Sequence, residues 1–248
     1  DCDLYRENLG CAAGGREGHG GQVALIRREA CGVDLDRQPL QNVVEFAESL
    51  GKATGVVTSV EFSHATPAGF VAHNLSRNNY DQIANEMIYE SATDVIMGCG
   101  APDFDNDGLP ASKSTKYVGG PATWADLSDD DSVTGADADG DGSPDDWTVI
   151  RSREQFQALA EGETPARVIG IPFVYQTLQQ SRGGDTQAAP YVEPSIRTVP
   201  TLAEMTKAAL NVLDNDEDGF CQMVEGGAVD WAGHGNQSGR VIEEEIDF

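Results

Sequence analysis

The sequence predicts an α/β fold, a three-layer α/β/α sandwich around a mostly parallel central sheet. Three observations carry this. Residues 56–62, Val-Val-Thr-Ser-Val-Glu-Phe, are a β-branched run after Gly55, the composition of a buried strand. Thr66-Pro67 then marks a helix start, with Thr as cap and Pro at the first helical position. Asp94-Val95-Ile96-Met97 ahead of Gly98 gives a second short buried strand. Strands alternating with helices need crossover connections, and these put helices on both faces of the sheet.

The elements follow in order. Residues 1–31 hold neither strand nor helix period. Gly10 to Gly21 is glycine-rich without a repeat, and Arg27-Arg28-Glu29 breaks the only apolar stretch. This segment is expected to be aberrant, a frameshifted or mis-joined stretch, with the ordered α/β domain spanning 32–248. Leu40, Val43, Val44, Phe46, Ala47 and Leu50 predict an amphipathic helix stopped by Gly51. After the strand at 56–62, Phe70, Val71 and Leu75 carry helical spacing toward Arg77. Tyr80 to Tyr89 predicts a second helix. Residues 101–147 form a loop-rich acidic insertion. Gln155 to Ala160 is helical, and Arg167 to Ile171 is a strand. Gly183 to Pro194 is a polar loop. Thr201 with Glu204 spells a capping box, opening a helix through Ala208, Leu210 and Leu213. A strand from Phe220 to Val224 leads into the last segment.

Composition limits the function. The 248 residues fit one large domain with a sizeable core. A net charge of −26 argues against binding nucleic acid or anionic membrane through a broad basic surface. A phosphorylated substrate would need a local positive site to overcome that field. No run of 18 apolar residues is present, so no membrane span is expected. The chain opens on Asp1-Cys2-Asp3 without a secretory signal, as a mature or truncated secreted chain would. None of the five cysteines forms a C-x-x-C pair, and Cys99 and Cys221 are expected to be buried free thiols.

Acidic turns of the form D-x-D-x-D-G occur at Asp103, Asp137 and Asp214. Alternating carboxylates on a tight turn can cage calcium. The second copy, Asp137, Asp139 and Asp141 with Asp145, is the best candidate, although Thr148 stands where the twelfth-position Glu would be. The third copy places Glu225 at position twelve. Two glycines follow that Glu, however, and they oppose the helix an EF-hand requires there. The third copy is therefore expected to be an acidic turn between helix and strand, and the first a solvated turn.

The segment Met223-Val224-Glu225-Gly226-Gly227-Ala228-Val229-Asp230-Trp231-Ala232-Gly233-His234 holds the densest chemistry. Asp230 and His234 stand four apart, so on a helix they share one face and can share one metal. Carboxylate with imidazole suits zinc, whereas Glu225 alone better suits a hard ion such as magnesium.

That segment, continued through Asn236-Gln237-Ser238-Gly239-Arg240 and Glu243-Glu244, resembles the metal-site segment of the alkaline phosphatases. The stretch from Val56 through Ser63-His64-Ala65-Thr66-Pro67 to Arg77 resembles the same family. So do Lys52 to Gly55, Asp94 to Gly98, Tyr117 to Gly120 and Pro200 to Thr206. The resemblance spans about 32–248. It implies a homodimeric, periplasmic or extracellular enzyme that hydrolyses small phosphate monoesters through a phosphoserine at a two-zinc, one-magnesium site. On that basis Thr66 and Glu225 would hold magnesium, and Asp230 and His234 one zinc. Arg77 would grip phosphate with its planar fork, and His64 would tune the magnesium site through water. His73 is expected to be structural. Residues 1–31 contain no serine, so the nucleophilic serine is not found. The family's remaining zinc ligands are not found either, and the chain as given is expected to be incomplete and inactive. The alternatives from other classes are a calcium-stabilised acidic binding protein and a degenerate member that binds metal or phosphate without turnover.

Overall fold

The computed structural model describes residues 31–34, 37–128 and 133–248. The glycine-rich stretch before Cys31, with His19, lies outside the described residues.

The core is a sheet whose strands are β1 (Ala53–Glu61), β2 (Val95–Cys99), β3 (Val133–Thr134), β4 (Asp146–Ile150), β5 (Val168–Gly170) and β6 (Phe220–Glu225), in the order β3-β4-β5-β2-β1-β6. All neighbours are parallel except the β3–β4 pair. Both faces are covered, because successive side chains alternate across a strand. Val56, Ile96 and Ile169 point into one apolar cluster with α1 (Val43–Glu48), α2 (Ala65–Val71), α3 (Tyr80–Tyr89) and α4 (Pro121–Ser128). Val57, Val95, Met97 and Val168 point into the other, with α5 (Arg153–Leu159) and α6 (Leu202–Leu213). On α3, Ile83, Ala84, Met87 and Ile88 are fully buried at the helical period. Each large buried side chain contributes about 1.5–3 kcal/mol. The sandwich expected from the alternation is the observed fold.

The capping box at Thr201 and Glu204 forms as spelled, opening α6. Asn42 and Glu45 make a second at α1, and Ser152 and Gln155 a third at α5. In the first helix the predicted apolar positions Phe46 and Leu50 are exposed, while Val44 and Ala47 are buried.

Three expectations need correction. The acidic stretch 101–147 is less loop-rich than its composition suggested, for it contains a 3₁₀ turn at Thr115–Val118, helix α4 and the β3–β4 hairpin. Its first acidic turn is not merely solvated. Asp103 takes a bidentate grip from Arg151, and Asp107 accepts the Gly183 N–H. Non-local partners for these carboxylates leave no trace in a local pattern. Cys221 is half-buried rather than buried, because β6 is an edge strand. Cys99 is fully buried, as expected. The third acidic turn joins α6 to β6, and Glu225 ends a strand, so no EF-hand forms.

Candidate metal and phosphate site

Parallel strands deliver their C-terminal ends to one edge of the sheet, where open α/β sheets place ligands. The β1–β6 register pairs Thr58 with Glu225. Thr58 Oγ1 donates to Glu225 Oε2 at 2.6 Å. Beyond β6 the chain turns through Gly226 and Gly227 into α7 (Ala228–His234), whose Ala228 N–H donates to Ser59 Oγ on β1 at 3.2 Å. Gly227 has no room for a side chain. A Cβ there would lie 2.9 Å from Val60 Cγ2 and 3.0 Å from Glu225 Oε2. The glycine thus lets α7 start directly against the Glu225 carboxylate.

From the other side, β1 runs into α2. Here the cap differs from expectation. His64 stands at the N-cap position, Thr66 lies inside the first turn and Pro67 follows it. The first turn tolerates this proline because its N–H groups lack intrahelical acceptors. The Thr66 hydroxyl is therefore free of capping, and it acts on Glu225, helping to lower that carboxyl's pKa. Helix α2 also ends earlier than the spacing implied. Ala72 is extended, and Asn74 pairs with Cys31 through two backbone hydrogen bonds of 2.8 and 2.9 Å. Leu75 is accordingly exposed. The Asn74 side chain accepts from Ser76 N–H and Asn79 Nδ2 at 3.1 and 2.9 Å, shaping a turn that presents Arg77.

Glu225 is the hub. Burial pushes its carboxyl above the usual range, while Thr58, Thr66 and the Arg77 charge pull it down and Asp230 pushes it up. All four groups therefore act on one carboxylate. Its direct partner is the neutral Thr58 hydroxyl, so when ionised its half-buried charge is uncompensated by any ion pair among the described residues. That is a fitting donor set for a hard cation. Asp230 and His234 share a face of α7, with Oδ1 and Nε2 3.4 Å apart and both side chains largely exposed. Carboxylate and imidazole so placed fit zinc.

Arg77 is half-buried, yet it makes no hydrogen bond or ion pair with another described residue. The other buried or half-buried arginines are occupied. Arg151 grips Asp103, Arg153 grips Glu204 and Arg182 grips Glu243, while Arg167 and Arg240 serve backbone carbonyls. His64 lies edge-on to Trp231 at 5.5 Å and near Tyr80 at 6.4 Å, and its buried Nδ1 has no hydrogen-bond partner among the described residues. Burial, then the Arg77 charge, lower its pKa to about 4, so the ring is neutral at ordinary pH. Sequence reasoning missed Thr58, Tyr80 and Trp231. Only the strand register could have exposed Thr58.

His73 sits apart from the hub. Its Nδ1 faces Glu86 at 3.1 Å and its Nε2 faces the Leu40 carbonyl at 3.0 Å, a structural bridge as expected. The acidic hairpin loop brings oxygens of Asp137, Asp139 and Asp145 within 4.8 Å of one another, while Asp141 stays outside that group and accepts from Ser143 N–H. This loop precedes β4, so it lies at the opposite edge of the sheet from Glu225.

The alkaline phosphatase family model matches residues 26–248. This chain belongs to the alkaline phosphatase family. Alkaline phosphatase 3 of Bacillus subtilis (strain 168) is 29% identical over 224 residues, covering 88% of this chain and 39% of that protein. The cold-active alkaline phosphatase of a Shewanella species superposes with a TM-score of 0.63 at 27% identity, covering 90% of this chain and 44% of that one. A variant of the alkaline phosphatase from the Antarctic bacterium TAB5, solved with magnesium bound, has the same fold, with a TM-score of 0.56 at 23% identity over 89% of this chain and 51% of that one. The chain thus spans less than half the length of the Bacillus relative it matches. Phosphate-monoester hydrolysis and dependence on metal are properties of the family. Among the described residues no helix is long and apolar enough to cross a membrane.

Proposed function

We propose that this chain serves a metal-dependent phosphate-monoester hydrolase, with Thr66 and Glu225 holding magnesium, Asp230 and His234 holding zinc, and Arg77 binding the phosphoryl group. One observation carries this reading. A single half-buried carboxylate, Glu225, accepts the Thr58 hydroxyl at 2.6 Å and feels Thr66, Arg77 and Asp230. Metal bound there would supply positive charge to the phosphoryl oxygens. The protein's own contributions are specific. Thr58 and Thr66 orient the Glu225 oxygens. Arg77 offers two parallel donors to a phosphate. His64, neutral, would present its unpartnered Nδ1 to a water held by that metal. No nucleophile is assigned. We extend the reading, on family membership alone, to a homodimer in the periplasm or outside the cell.

Calorimetry with magnesium, with zinc and with inorganic phosphate tests it. Glu225→Gln should weaken magnesium and spare zinc, while Asp230→Ala and His234→Ala should weaken zinc. Equal loss of both metals in all three variants would sink the assignment. A second reading, calcium at Asp137, Asp139 and Asp145, is favoured only by their 4.8 Å cluster. A calcium-dependent rise in melting temperature, abolished by Asp137→Asn, would support it.

A further inference from the structure

A second cationic position, which the hydrolase reading does not use, is joined to the site through Tyr80. Lys116 sits in the 3₁₀ turn Thr115–Val118, with its ammonium 5.1 Å from the Tyr80 ring centre and 4.5 Å from that of Tyr117. Lys113 adds a cation 6.0 Å from the Tyr175 ring. Tyr80 joins this group to the site. Its ring stacks with His64, and the Arg77 charge acts on its phenol.

The turn is fastened to the elements that carry the site. Ser63 Oγ, just past β1, donates to the Tyr117 carbonyl at 2.9 Å. Asn85 Nδ2 on α3 donates to the Gly119 carbonyl at 3.1 Å. Gly119 closes the turn in the left-handed region, φ 87°, where a Cβ would lie 2.3 Å from Asn85 Oδ1. Burial keeps both phenols above the ordinary tyrosine range, so the rings beneath the ammonium stay neutral and attract it as π faces.

Lys116 is exposed, and no described carboxylate lies within ion-pair distance of it. The chain has 42 acidic and 16 basic residues, so cations are scarce. Here the aromatic faces hold the ammonium without neutralising it. The rings are already covered by the lysine, which argues against stacking of an aromatic ligand and for contact with an anion.

We propose that Lys116, held over Tyr80 and Tyr117 and joined to His64 through Tyr80, forms a second anion subsite that selects phosphate monoesters whose alcohol portion carries its own carboxylate or phosphate. The proposal rests on Arg77 binding the phosphoryl group. Arg77 then takes the phosphoryl end, and Lys116 takes the distal anion.

Calorimetry on the full chain with zinc and magnesium tests this with three probes: inorganic phosphate, glycerol 3-phosphate and 3-phosphoglycerate. The last two differ in bearing a neutral hydroxymethyl group or a carboxylate. Wild type should bind 3-phosphoglycerate about fivefold more tightly than glycerol 3-phosphate, the size expected of one exposed ion pair. Lys116→Gln should erase that preference and leave inorganic phosphate affinity unchanged, and Lys116→Arg should keep the preference. No preference in wild type overturns the subsite. Equal weakening of all three probes in Lys116→Gln also overturns it, since that is general attraction rather than recognition of the alcohol portion. A different failure belongs to the underlying reading. If Arg77→Ala leaves inorganic phosphate affinity unchanged, or no probe binds, the phosphoryl site itself is wrong and the subsite falls with it.

Discussion

Replacing Glu61 with Gln should stabilise the folded chain above neutral pH and destabilise it by about 1–2 kcal/mol near pH 4. Glu61 ends β1 with no exposed surface. Its Oε1 receives Gln176 Nε2 at 3.4 Å, and its Oε2 has no hydrogen-bond partner among the described residues. Burial moves its carboxyl from 4.5 up to about 7, against weaker opposing pulls from hydrogen bonds and Lys116. The folded carboxyl therefore keeps its proton to higher pH than the unfolded one does. The stability this provides is full below 4.5 and is lost as pH rises to about 7. Above that, ionisation in the fold costs about 3 kcal/mol, at about 1.4 kcal/mol per tenfold change in proton affinity. Gln carries no charge and escapes this cost, but its amide nitrogen must find an acceptor, a penalty of about 1–2 kcal/mol. The net gain expected at about pH 8 is about 1–2 kcal/mol. Urea unfolding of both proteins at about pH 8 and pH 4 measures it. A loss of stability at pH 8 would refute the reasoning, because it would mean that a cation holds the carboxylate in the native state.

Three further outcomes are expected. Arg77→Ala should weaken inorganic phosphate binding by about 10- to 100-fold, the loss of two charge-assisted hydrogen bonds, with Arg77→Lys between it and wild type. An unchanged isotherm together with a lowered melting temperature would instead make Arg77 a structural turn residue. Thr58→Val removes the 2.6 Å donor to Glu225 and so pushes an already raised carboxyl higher. Because the metal needs the ionised form, magnesium binding followed against pH should begin at higher pH than in wild type. Arg167→Met should cost about 3 kcal/mol in urea unfolding, because it strands the carbonyls of Ser91, Thr93 and Ala136 that the buried guanidinium serves from 3.9 Å above the Trp147 ring.

The sequence by itself determined the elements and their class. The β-branched run at 56–62 and the Tyr80–Tyr89 pattern are local signals, as is the Thr201–Glu204 box, and all three formed because each depends on neighbours within a few residues. Local spelling also brought out Glu225, Asp230 and His234 as chemistry-bearing positions, whereas Thr66 and Arg77 stood out only through the resemblance to the alkaline phosphatases. It misjudged what distant contacts decide. Asn74 pairs with Cys31 and stops α2 at Val71, so Arg77 stands on a turn instead of a helix. His64 takes the cap position, which leaves the Thr66 hydroxyl to act on Glu225. Thr58 became a site residue only because the β1–β6 register sets it opposite Glu225, 167 positions away. The placement of Lys116 depends likewise on distant contacts, since its ring partners come from α3 and from its own turn. Backbone period and capping are fixed by side chains within one or two turns of the chain. Register, burial and the pairing of charges depend on which surfaces meet once the sheet has closed, and only the tertiary structure decides that.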